Sequence, residues 1–271
     1  MDEENAIWTS SPVIGFDTET TGIDPKRDRL VTCSLVAVTE EGVSKRYWLA
    51  DPGVEIPERA SAVHGITTEQ ARAEGRPSDE VLEEVAALLA GHMGRGHPAV
   101  AFNATYDFTL LESELDRHGL PTLAERLGGE VFPVVDPYLL DRSADRYRKG
   151  KRRLEDLCRH YGVHAEDDFH NAEADVLATL RLLAAIVRKF PEFARAELED
   201  LQERECETHA DFMAFLARKA AERGREFTDS FDWPVAEPRG LQNEALSGPS
   251  SSAPPRSSER RADATRASPR T

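Results

Sequence analysis

In the stretch VIGFDTETTG, Val13 to Gly22, two carboxylates stand two residues apart inside an otherwise apolar run. Side chains on a β-strand alternate between faces, so Asp17 and Glu19 point the same way, a few ångströms apart. Like charges held that close repel each other and lose hydration unless something positive lies between them. Further along, Asp107 follows AFNATY at a step from strand to helix; alone, it reads as a partner for the helix dipole. His170 and Asp175 occur in HNAEAD. On one continuous helix they would lie roughly 140° apart, so both face one site only if His170 sits in the loop before the helix. Alone, His170 reads as a surface histidine.

Asp17, Glu19, Asp107 and Asp175 together offer four carboxylates, each at the end or opening of an element, where ligand sites gather in α/β domains. Two divalent ions would neutralise them. Oxygen ligands without nearby thiolates favour Mg²⁺ or Mn²⁺ over zinc. A pair of such ions about 3.5–4 Å apart activates a water and stabilises the leaving oxygen in phosphodiester cleavage.

The elements that must position these acids follow from periodicity and turn chemistry. VIGFDTE, RLVTCSLVAVT and SKRYWLA read as a three-stranded antiparallel meander, separated by GIDPKRD and EEG. Thr67 and Gln70 have capping-box spacing before an amphipathic stretch from about Ser78 to Leu89. PAVAFN and VFPVVD read as short buried strands, the first followed by a helix that ends at Gly119. A basic segment, the helix RLEDLCRHYG and a long helix ended by Pro191 complete an α/β domain over about 12–190, with a mixed five-stranded sheet flanked by helices. Residues 1–11 form a short N-terminal segment.

Residues 191–235 read as an accessory extension of one or two helices, with Phe193, Leu198, Leu201, Phe212, Leu216 and Ala220 at loosely helical spacing. The apolar stripe lapses between Gln202 and Thr208, which favours packing on the domain over a coiled coil. Residues 236–271, rich in Pro, Ser and Arg, are expected to be disordered.

The net charge of the 271-residue chain is -16, and the part before that tail carries -18. An acidic surface argues against a nucleic-acid partner unless basic residues are concentrated. They are: Arg142 to Arg153, RSADRYRKGKRR, holds seven Arg or Lys against one Asp. The segment is suited to holding phosphates; a solvated charge run balancing acidic surface is the alternative. Cys33, Cys158 and Cys206 lie far apart, which suits a reducing compartment. The opening MDEENAIW lacks the pattern of a signal peptide, and runs such as VAALLA are too short to span a bilayer, so a cytoplasmic protein without membrane contact is expected.

FDTETTG, VHGIT at Val63 to Thr67, NATYD and HNAEAD, in that order, resemble the DEDD exonuclease superfamily of the histidine subtype (DEDDh, DnaQ-like). The resemblance covers about 12–188, and the superfamily includes polymerase proofreading subunits, ribonuclease T and oligoribonuclease. It implies a ribonuclease H-like fold, with Asp17, Glu19, Asp107 and Asp175 as ligands of two Mg²⁺ (or Mn²⁺) ions, Asp17 bridging them, and His170 as general base. It also implies that Thr20, Val63, His64, Asn103 and Tyr106 hold the 3′-terminal nucleotide. The chain departs from the common pattern at Phe102, where histidine is frequent, and at Tyr106, where phenylalanine is. Arg152 and Arg153 are the further phosphate contacts expected from the basic segment.

The expected activity is 3′-to-5′ hydrolysis of single-stranded nucleic acid, DNA favoured, releasing nucleoside 5′-monophosphates. Three alternatives stand beside it: a proofreading or repair subunit that binds a DNA polymerase or repair partner through the C-terminal extension, an RNA-directed exoribonuclease, and a non-catalytic nucleic-acid binder.

Overall fold

The computed structural model describes residues 8–164 and 172–236. His170 and the tail from 237 onward lie outside the described residues. Strand β1 (Val13–Thr20) is central in a six-stranded sheet of order β4-β3-β2-β1-β5-β6. It pairs antiparallel with β2 (Leu30–Thr39), which pairs antiparallel with β3 (Gly42–Asp51), giving the expected meander. On its other side β1 runs parallel to β5 (Ala99–Val100), and β5 runs parallel to β6 (Val134–Val135). The sheet thus has one strand more than the five expected. The addition is β4 (Arg76–Pro77), two residues parallel to Ala50 and Asp51 of β3. A pairing that short contains no alternation to read in the sequence.

Helices cover both faces. Ile14 and Phe16 of β1 pack with α3 (Ser78–Met93) and α4 (Thr105–Arg117) in one core, where Phe16 meets Phe108 edge-on at 5.4 Å. The second core joins α7 (Leu154–Tyr161) and α8 (Ala172–Lys189) to Val100, Phe193 and Leu201. Gly15 lies on the face of β1 that α8 covers. A Cβ there would come within 2.4 Å of Val176 Cγ1, so only glycine lets this helix approach so closely.

The extension packs on the same unit. Helices α9 (Pro191–Arg195) and α10 (Leu198–Glu222) follow α8 directly. Trp8 Nε1 donates to the Phe193 carbonyl at 2.9 Å, and Trp233 joins the first core. The face of α10 turned inward carries buried Gln202, Glu205 and His209. Gln202 Oε1 accepts from the Val134 amide at 2.9 Å and Glu205 Oε1 accepts from the Asp136 amide at 2.8 Å, so α10 occupies the hydrogen-bonding margin of β6 that another strand would otherwise take. No described helix is long and apolar enough to cross a membrane.

Candidate active site at the end of strand β1

Gly15, Asp17 and Glu19 share one face of β1 by strand alternation. The close packing of α8 at Gly15 sets Asp175, one residue before Val176, beside the two acids. Oxygens of Asp17, Glu19 and Asp175 all lie within 4.8 Å of one another. Asp107 reaches the same strand end from the first turn of α4 and is 4% exposed. Its Oδ1 accepts from the Thr18 amide at 3.0 Å and from Thr18 Oγ1 at 2.6 Å. The amide of Ile14, two pairs back, donates to the Pro98 carbonyl just before β5. Asp107 therefore fills a ladder position that β5, only two residues long, leaves open.

The electrostatics are those of acids crowded together. Burial pushes the Asp17 carboxyl well above its usual range, and the charges of Asp107, Glu19 and Asp175 push it further. Burial, then Asp175 and Asp107, raise Glu19 to about 8. Asp107 is raised to about 7 by burial, against the lowering effect of its Thr18 hydrogen bonds. An oxygen-only cluster of this kind fits a hard divalent cation, whose charge would reverse these shifts.

The residues expected to meet the terminal nucleotide surround the same strand end in part. Thr20 Oγ1 and the Tyr106 hydroxyl lie 2.6 Å apart, and each donates to the Gly22 carbonyl at 2.7 Å, tying α4 to the loop after β1. A Cβ at Gly22 would sit 2.5 Å from the Asp28 carboxylate and would displace it from its bonds to Thr21 Oγ1 and the Asp24 amide. His64, the last residue of α1 (Glu58–His64), lies against the Thr20 backbone; burial lowers its pKa, partly offset by that contact. Val63 beside it is 52% exposed. Asn103 turns the chain from β5 towards α4 with a left-handed φ of 61°.

The basic segment is sorted by direction. Arg148 and Arg152 turn inward onto Asp141 Oδ2, at 3.3 and 2.7 Å, while the Tyr161 hydroxyl donates to Oδ1 at 2.9 Å. Arg142 lies over the Phe212 ring at 3.4 Å. Tyr147, Lys149, Lys151 and Arg153 face solvent, with Arg153 also 3.7 Å from Glu155. Of the two arginines expected to hold phosphate, Arg153 is outward and Arg152 is committed to Asp141.

Sequence reasoning missed Gly15 and Asp136. Asp136 caps α6 (Pro137–Ala144), a helix the sequence reading did not assign, although Asp before Pro is a helix-start signal.

The family model of RNase T, described as an exonuclease, matches residues 14–183. The chain is 28% identical over 201 residues to a PolC-type DNA polymerase III of Streptococcus thermophilus, covering 73% of this chain and 13% of that polymerase. It is 28% identical over 213 residues to the chloroplastic/mitochondrial exonuclease DPD1 of Arabidopsis thaliana, covering 76% of this chain and 64% of that exonuclease. Its fold is like that of E. coli exonuclease I solved in complex with a dA16 oligonucleotide, with a TM-score of 0.57 at 19% identity over 76% of this chain and 45% of that one. The chain spans less than two thirds of each of these proteins.

Proposed function

The chain belongs to the RNase T exonuclease family, and on that premise we propose that it is a metal-dependent 3′-to-5′ exonuclease acting on single-stranded ends, DNA favoured, to release nucleoside 5′-monophosphates. The observation that carries this reading is the set of three carboxylates within 4.8 Å, with Asp107 at the same strand end. Asp17, Glu19, Asp107 and Asp175 would hold two Mg²⁺ or Mn²⁺ ions there. Such ions, when bound, acidify a water and stabilise the leaving oxygen. His170 accepts the proton of the attacking water. Thr20, Val63, His64, Asn103 and Tyr106 seat the terminal nucleotide, and Arg153 with Lys149 and Lys151 attracts phosphates further along the strand. The dA16 oligonucleotide in one E. coli exonuclease I complex and the ssDNA in another support this substrate class.

The test is a product assay with matched DNA and RNA oligomers labelled at the 5′ end, in Mg²⁺, Mn²⁺ or EDTA. Stepwise shortening from the 3′ end, abolished by EDTA, is expected. An oligomer left intact in both metals overturns the reading, and faster loss of RNA reverses the preference. The likeness to a PolC-type polymerase favours a second reading, proofreading or repair within a polymerase complex. The inward face of α10 is occupied by the domain, so a partner would meet its outer face, where Phe215 is 43% exposed. Copurification with a polymerase tests this. Three cysteines without a disulfide accord with a cytoplasmic location.

A further inference from the structure

Asp136, 1% exposed, serves two helices at once. Its Oδ1 accepts from the Tyr138 amide in the first turn of α6 at 2.9 Å and from the Asn103 amide at 3.0 Å, while Oδ2 accepts from the Ala104 amide at 3.0 Å. The turn into α4 has no cap of its own, since Ala104 at its start offers no side-chain acceptor. Asn103 is also the only non-glycine with positive φ among the described residues, a conformation that persists only where its surroundings enforce it. Three residues beyond Ala104, Asp107 grips Thr18.

The Asp136 backbone is held in turn. Its amide donates to Glu205 Oε1 at 2.8 Å, and Glu205 is fully buried on α10. One turn earlier, Gln202 takes the Val134 amide and donates to the Val131 carbonyl at 3.2 Å. A chain of hydrogen bonds thus runs from the accessory helix through the end of β6 to the turn that launches Asp107. Apolar contacts such as Phe16 with Phe108 hold the body of α4, but the burial of apolar area that drives them is not directional. The amides fix where its first turn begins.

We propose that Asp136, seated by Glu205, is the positioning residue for Asp107, so that the accessory helix sets the geometry of the acidic cluster. What Asp107 then does rests on the exonuclease reading. Burial raises Asp136 to about 7, and burial together with Asp136 raises Glu205 well above the usual carboxylate range. Glutamine keeps the acceptor oxygen that Glu205 offers the Asp136 amide and is its close mimic.

The experiment uses the full chain and two readouts: the Mn²⁺ concentration that half-saturates cleavage of a labelled single-stranded 20-mer, and the rise in Tm that Mn²⁺ produces without substrate. Asp136→Ala is expected to raise half-saturation by about 10–100-fold and to shrink the Tm rise, as loss of a partner behind a metal ligand does. Asp136→Asn, which keeps one acceptor oxygen, falls between. Glu205→Ala weakens Mn²⁺ in the same direction by a smaller factor, and Glu205→Gln recovers most of that loss. An Asp136→Ala protein that melts lower yet keeps the wild-type half-saturation and Mn²⁺ shift overturns the proposal. If Asp136→Ala does not fold, Asp136→Asn decides by the same readouts, and equality with wild type overturns the proposal. A wild-type chain that Mn²⁺ stabilises but that cuts nothing removes the exonuclease reading; the melting data then judge the positioning role by themselves.

Discussion

Asp141 and Asp17 are both turned into the protein, and their neighbours differ in sign. Asp141 is 0% exposed, and its oxygens receive Arg148, Arg152 and Tyr161. The charges acting on Asp17 are those of Asp107, Glu19 and Asp175, all acids. One aspartate is completed from within the chain and fastens a loop; on the proposed reading the other is completed by a cation from outside. Asp141 is buried and Asp17 half-buried, and what sets them apart most is the sign of the charges around them.

Substitutions at the two places should therefore act in opposite ways. The largest effect is expected at Asp17→Asn: nuclease rate falls by about 10²–10³-fold or more, while the Tm in EDTA rises because one of the crowded charges is gone. A lower Tm in EDTA would give Asp17 a structural partner like that of Asp141 and break the contrast. Arg152→Met, which removes half of the clamp on Asp141, should cost about 3 kcal/mol in urea unfolding; a loss under about 1 kcal/mol would mean that Arg148 and Tyr161 suffice. Gly15→Ala should cost about 1–3 kcal/mol by overpacking against Val176, and Val176→Ala in the same chain should restore most of it. If stability falls but metal response does not, α8 does not position Asp175 through this contact.

The smallest effect is expected from pH. Glu19 is raised to about 8 and Asp107 to about 7, whereas the unfolded chain titrates such groups near 4. Between those values the folded state holds more protons than the unfolded one. The stability from these groups is fully present below about pH 4 and is lost as pH rises through 7 and 8. In EDTA the Tm should decline by a few degrees from pH 5 to 8.5, the effect being limited because Glu19 is partly open to water and salt. Saturating Mn²⁺ should abolish the decline.

The meander and the order of the acids were legible because strand alternation and helix openings are local. Asp17, Glu19, Asp107 and Asp175 each sit where such a signal is strong. What joins them was not legible: Gly15 is a single glycine in a strand, and the helix that needs its space lies some 160 residues further along. The lapse in the apolar stripe between Gln202 and Thr208 had a physical cause that hydropathy cannot register. There the buried face of α10 is polar, with Gln202 and Glu205 bonded to backbone. Counting charges found the basic segment but not its division into inward Arg148 and Arg152 and outward Lys149, Lys151 and Arg153. A two-residue strand such as β4 leaves no pattern at all.

The seal that α10 forms over β6 bears on how this protein could be cut or transplanted. The family match stops at residue 183, before α10 begins at Leu198. A fragment trimmed there, or a graft of that stretch onto another protein, would carry a raw sheet margin with the Val134 and Asp136 amides bare, prone to recruit stray strands. The smallest portable unit is therefore longer than the stretch the family model spans.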